Sequence, residues 1–131
     1  MKNIVEFENF NHKFESIVRS PEWQQVENLF NSKKTIFMFG NGGNMGITDH
    51  AAVDMSRLTD KNVLCPGSGI TATSIIGDNS FDSWFKVWLE QRFRTSNLED
   101  SLVIAFSCST NSDSSKSIMN ALEYAIEMGV P

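Results

Sequence analysis

Residues 35–54, TIFMFGNGGNMGITDHAAVD, decide how the rest of the chain is read. The apolar run Thr35 to Phe39 is followed by a turn with glycine at Gly40, Gly42 and Gly43, and then by a segment carrying His50 and Asp54. That is the order of a short buried strand, a tight turn and a helix. Glycines in such a turn let backbone N–H groups come close to an anion, and the first helical turn adds its partial positive charge. The stretch is a candidate anion cradle. His50 and Asp54 are four residues apart, so a helix places both on one face about a turn beyond the cradle. They form a candidate acid or base beside a candidate phosphate. Taken singly, the histidine reads as structural and the aspartate as a solvated helix carboxylate. Together they also give two donors for zinc, one short of the three protein ligands of a catalytic zinc. The other histidine, His12, falls in the first helix.

Working outward, Phe7, Phe10, Phe14, Ile17 and Val18 form a helical stripe between about Val5 and Arg19. Ser20 and Pro21 read as an N-cap followed by a proline at the first helical position, which opens a second helix ending near Ser32. Its inner side carries Trp23, Val26, Leu29 and Phe30. Aromatic stripes at this spacing are core or subunit interface far more often than a ligand pocket. Beyond the glycine turn, the pattern predicts a helix from about Met45 to Leu58 and a strand from Asn62 to Cys65, stopped by Pro66 and Gly67. Residues 66–76 fit no single element. A helix over Asp82–Phe93 turns Trp84, Phe85, Trp88, Leu89 and Phe93 inward. Leu102–Phe106 is a strand buried on both faces, and after a polar turn a last helix runs over Asp113–Met128 to Gly129.

Strands alternating with helices imply a parallel sheet covered on both faces, with ligands at the carboxyl ends of the strands. Both polar turns, GNGGN and Ser107–Ser112, leave such ends and can converge on one ligand. The second offers four hydroxyls in six residues just before a helix. Hydroxyls and free N–H groups suit a phosphate without any lysine, although the same residues also make an ordinary N-cap and serine turn. A dinucleotide fingerprint beginning at Gly40 would need glycine where Met45 stands, and no G-K-[ST] follows for a P-loop.

The chain has 131 residues, 40% of them hydrophobic and 21% charged, which suits one globular domain. A net charge of −5 argues against a nucleic-acid or anionic-membrane partner, because such partners need clustered Lys and Arg. Cys65 and Cys108 share no metal-type spacing and suggest no disulfide framework, so a reducing cytoplasm is the expected home. No apolar run approaches the roughly 18 residues of a membrane span. Three strands are few against a mean of about five or six. With Val130 and Pro131 following directly on a helix cap, the chain is expected to be a piece of a longer protein or a truncated member of its family. Three tryptophans and ten phenylalanines in so short a chain suggest apolar surface that self-association would cover.

On these residues the sequence resembles the sugar isomerase (SIS) domain family, and within it the phosphoheptose isomerase group with its related DnaA-associating proteins. Gly40, Asn41, Gly42, Gly43 and Asn44 stand for the family's GNGGS. His50 and Asp54 stand for its H-x-x-x-E, Asp78 and Asn79 for its N-D pair in reversed order, and Ser107 to Ser112 for its STSGNS. The resemblance implies a three-layer α/β sandwich with a flavodoxin- or Rossmann-like parallel sheet and N-terminal helices, assembled as a homotetramer. It implies a phosphorylated sugar as substrate, sedoheptulose 7-phosphate for this group. Ser107, Cys108, Ser109 and Ser112 would surround the phosphate, and Asn41, Gly42, Gly43, Asp78 and Asn79 the sugar. Asp54 would be the base of an aldose–ketose isomerisation, with His50 beside it, and zinc would be a candidate metal. The departures predict binding with poor turnover. Asp54 is one methylene shorter than glutamate, Cys108 removes a hydroxyl, Thr110 replaces a glycine, and the family's C-terminal glutamine and histidine have no counterpart in the chain. The alternative is a non-catalytic module that binds a sugar phosphate or bridges protein partners.

Overall fold

The structure is a computed structural model and describes residues 9–67, 69–109 and 111–131. The chain divides into two compact units, one ending at Ser32 and the other spanning Lys33–Pro131. In the first unit, α1 covers Phe10–Val18 and α2 covers Pro21–Ser32. Ser20 caps α2 as its sequence suggests, its Oγ accepting the Trp23 N–H at 3.1 Å. The expected start of α1 at Val5, and Phe7 with it, lies outside the described residues. No residue of α1 or α2 is buried, and Phe10, Phe14 and Ile17 are more than half exposed. Two short helices offer each other too little surface to hide side chains of that size.

The second unit follows the expected alternation. Its elements are β1 (Thr35–Gly40), α3 (Gly43–Leu58), β2 (Asn62–Leu64), α4 (Gly69–Asp78), α5 (Trp84–Phe93), β3 (Ser101–Phe106) and α6 (Lys116–Glu127). Short 3-10 turns precede α5, β3 and α6. The stretch over 66–76 that fits no pattern becomes α4 from Gly69 onward. Its β-branched residues, Ile70, Thr71, Thr73, Ile75 and Ile76, have weak helix propensity and mask the helical signal. Tertiary packing decides the matter: Ile75 is buried, and Ala72 and Ile76 pack on the core.

The three strands form one parallel sheet in the order β2-β1-β3. Thr35 pairs with both Asn62 and Ser101, and the β1–β3 register runs on to Gly40 opposite Phe106. As the central strand, β1 is covered on both faces, and Ile36, Phe37, Met38 and Phe39 are at most 1% exposed. Successive side chains point to opposite faces. Phe37 and Phe39 enter an aromatic core with Phe85, Trp88 and Phe93 from α5, joined by Val103, Ile118 and Ala121. Ile36 and Met38 lie on the other face, and α3 packs along β1 and β2. Moving from β1 to β2 and then back past β1 to β3 reverses direction across the sheet. Right-handed crossovers therefore send α3 to one face and the β2-to-β3 connection to the other, which gives three layers. After α6, Gly129 turns the chain at φ +75°, Val130 is buried, and the Val103 N–H donates to the Pro131 carbonyl at 2.9 Å. Among the described residues, no helix is long and apolar enough to cross a membrane.

Replacing Phe39 by alanine removes a fully buried ring from the middle of this core. Phe39→Ala is expected to cost about 3–5 kcal/mol of stability in equilibrium urea unfolding.

Candidate functional site

The site begins with a close approach. A Cβ on Gly40 would lie 2.7 Å from Asn44 Cβ and 2.8 Å from the Phe106 carbonyl oxygen, so only glycine fits where β1, β3 and the start of α3 meet. Gly42 then takes φ +57°, a region costly for residues with a Cβ, and turns the chain into α3. The Asn41 and Gly42 carbonyls accept the N–H groups of Asn44 and Met45 at 3.1 and 3.0 Å, closing the first turn.

The second turn is held by its own hydroxyls. Ser107 Oγ donates to the Ser109 carbonyl and accepts the Ser109 N–H, and Ser109 Oγ accepts the Asn111 N–H at 3.3 Å. Ser112 Oγ is 2.9 Å from Ser114 Oγ and 2.8 Å from Ser115 Oγ, while Ser115 Oγ donates to the Ser109 carbonyl. The serine-turn half of the ordinary reading holds, whereas neither Ser112 nor Ser115 makes a side-chain capping hydrogen bond to the helix that follows it. Ser107, Ser109, Ser112 and the residues that lead into α6, Ser114 and Ser115, also line the space beside the neighbouring turn. Three contacts join the glycine turn to the segment from Cys108 to Ser117. Asn41 Nδ2 donates to the Ser114 carbonyl at 2.7 Å and to Ser117 Oγ at 2.9 Å, and Asn44 Nδ2 lies 3.8 Å from Cys108 Sγ.

Between the turns is a cavity of about 440 Å³, inside the size range of small-molecule sites. Asn41, Gly43, Asn44 and Ile47 line it from one side, and Ser107, Cys108, Ser109, Ser112, Ser114, Ser115 and Ile118 from the other. None of these lining residues is Lys or Arg. Seven of the residues singled out from sequence line it: Asn41, Gly43, Asn44, Ser107, Cys108, Ser109 and Ser112. Gly42 adjoins it without lining it. Asp78 and Asn79 end and follow α4, away from the lining, and Asn79 Nδ2 donates to the Ile75 carbonyl at 3.0 Å. Ile47, Ser114, Ser115 and Ile118 were not anticipated, although the serine run continuing through Ser117 into α6 was a visible signal.

His50 and Asp54 share a face of α3, with Nε2 to Oδ2 at 3.3 Å, but neither lines the cavity. Asp54 also pairs with Arg57 at 3.1 Å. Among the described residues, no group of three or more His, Cys, Asp or Glu could hold a metal ion. His50 and Asp54 alone do not fit zinc. The two cysteines differ sharply. Cys108 is exposed in the second turn. Burial pushes the Cys65 thiol up to about 11, with the Asp49 carboxylate adding to the effect. A second, smaller cavity of about 330 Å³ between α5 and α6 is lined by Glu90, Phe93, Arg94, Tyr124 and Met128 and shares no lining residue with the first.

Comparison of the structure finds phosphoheptose isomerase GmhA from Neisseria gonorrhoeae, with a TM-score of 0.66 and 24% sequence identity. The match covers 89% of this chain and 61% of the other, so the chain spans about 61% of the length of the protein it resembles. The likeness is one of fold, the SIS-like α/β arrangement expected from sequence. No family model and no curated protein matches the chain.

Two measurements check this local chemistry. Gly40→Ala is expected to destabilise by about 1–3 kcal/mol through overpacking. Gly46→Ala, inside α3 with nothing near its position among the described residues, should be neutral or stabilising by up to ~1 kcal/mol. Alkylation by iodoacetamide followed by mass spectrometry should modify Cys108 first at pH 8. The rate at Cys65 should rise about tenfold per pH unit until the pH approaches its pKa, because the thiolate is the nucleophile.

Proposed function

We propose that the chain is a phosphosugar-binding protein of the SIS type, acting as a phosphoheptose-type aldose–ketose isomerase on sedoheptulose 7-phosphate. The observation that carries this reading is the cavity where the glycine turn after β1 meets the serine turn after β3. In a sheet ordered β2-β1-β3, the chain leaves these neighbouring strands toward opposite faces, which is where α/β sheets bind ligands. The fold shared with a phosphoheptose isomerase supports the same substrate class.

A phosphate held here meets Ser107, Ser109 and Ser112, with the start of α6 supplying partial positive charge in place of a cation. The sugar extends from the phosphate toward α3. Isomerisation moves a proton between C1 and C2 through an enediol, with Asp54 as base and His50 beside it. Asp54 is short for this task, and misplacing a catalytic group by ~1 Å costs about a hundredfold in rate. We further assign one SIS-type domain to residues 1–131, self-association as a homo-oligomer through the exposed stripe of α1, and a cytoplasmic location.

A second reading, a non-catalytic SIS module that senses a sugar phosphate or bridges partners, is favoured by one observation. His50 and Asp54 stand outside the cavity lining, and Arg57 engages the Asp54 carboxylate. Calorimetric titration with sedoheptulose 7-phosphate separates the two readings. Ser109→Ala should weaken binding by about tenfold or more, since a hydrogen bond to a charged group is removed. Asp54→Ala should keep binding and abolish conversion followed by NMR. Binding without conversion in the unaltered protein selects the second reading, and absence of binding rejects both.

A further inference from the structure

Asn41 lines the cavity, and its position in the glycine turn suggests a ligand contact. The hydrogen bonds give it a different task. A carboxamide has two N–H donors, and both of those on Asn41 are engaged, one by the Ser114 carbonyl at 2.7 Å and one by Ser117 Oγ at 2.9 Å. The orientation is fixed chemically, because a backbone carbonyl can only accept and would repel the amide oxygen. What remains of the amide is Oδ1, an acceptor, which has no attraction for an anion. Ser117 is fully buried in the first turn of α6 and does not line the cavity. The Asn41 side chain therefore ties the turn after β1 to the start of α6, across the gap where a phosphate would sit.

We infer that Asn41 is a positioning residue: it sets the spacing between the glycine turn and the serine turn, and so holds the cavity's two walls at the distance an anion requires. This rests on the phosphosugar reading above for its ligand, but not for its geometry. Sequence supplies the tie with little freedom. Gly40 brings the strand ends into contact, Gly42 turns the backbone away, and Asn41 between them is left beside the start of α6. Losing the tie leaves Ser117 Oγ buried without that donor and frees residues 112–115, whose remaining hydrogen bonds are mostly among themselves.

A double-mutant cycle tests it, with sedoheptulose 7-phosphate and inorganic phosphate as probes. Because Ser117 is hidden from the cavity, Ser117→Ala removes no ligand contact, and its effect on binding is transmitted through the start of α6 and the tie. Ser117→Ala is expected to weaken binding about threefold to tenfold, Asn41→Ala more, and the double variant no more than Asn41→Ala alone. Unchanged binding in Ser117→Ala, or two losses that add in the double variant, would overturn the inference and return Asn41 to a ligand role. Amide hydrogen exchange over residues 112–118 provides the readout that does not need a ligand. Both single variants should accelerate it non-additively while α5 stays protected; unchanged exchange overturns the inference. Failure of the unaltered protein to bind either probe would count against the phosphosugar reading and leave exchange to judge the tie. Asn41→Asp adds a pH signature. Its carboxyl can donate to the Ser114 carbonyl only when protonated, so the closed state raises its pKa above the usual ~3.9. Protection should return as pH falls through that raised value and vanish as pH rises through it, whereas a profile as flat as that of Asn41→Ala rejects the tie.

Discussion

The contact of Gly40 with Phe106 is the constraint on which the site depends. The parallel register sets these two residues opposite each other at the carboxyl ends of neighbouring strands, and Asn44 presses in from the start of α3. A hydrogen atom is all that fits on the Gly40 α-carbon. The strand order β2-β1-β3 with right-handed crossovers sends the chain from β1 toward one face of the sheet and from β3 toward the other. The crevice between the two departures follows from that geometry, and the Asn41 amide spans it at one end.

The walls of this crevice are polar without being basic. Serine hydroxyls, backbone N–H groups and a helix start supply oriented dipoles, and among the described residues no lysine or arginine lines the cavity. Such a surface suits an anion that is recognised by shape and hydrogen bonding more than by net charge. It also suits a chain of net charge −5, which does not attract anions from a distance. The serines hold one another as well as offering contacts, so the turn is pre-organised before any ligand arrives. That lowers the ordering cost of binding.

Support for the strand ends comes from the aromatic layer beneath them. Phe39 stacks on Phe85 at 4.7 Å between ring centroids, and Phe37 meets Trp88 and Phe93 edge-on. These rings pin β1 one residue before Gly40, so the turn starts from a rigid base. The aromatics of α1 are a different case: they form the stripe that periodicity announces, and Phe10 and Phe14 are more than half exposed among the described residues.

Much of this was legible in the residues themselves. The run Thr35–Phe39, the glycines after it, the LVIAF run of β3 and the Ser20–Pro21 cap each carry a local signal, because strand burial, left-handed turns and caps are decided by neighbours in sequence. The four-residue spacing of His50 and Asp54 likewise determined that the two side chains meet. Tertiary structure alone decided three things. It made a helix of 69–78 despite β-branched residues, because Ile75 had an apolar core to enter. It placed His50, Asp54, Asp78 and Asn79 outside the cavity lining, because their direction depends on how α3 and α4 sit against the sheet. And it joined Asn41 to Ser114 and Ser117, more than seventy residues away, a pairing no local pattern encodes because only the β1–β3 neighbourhood brings those atoms together.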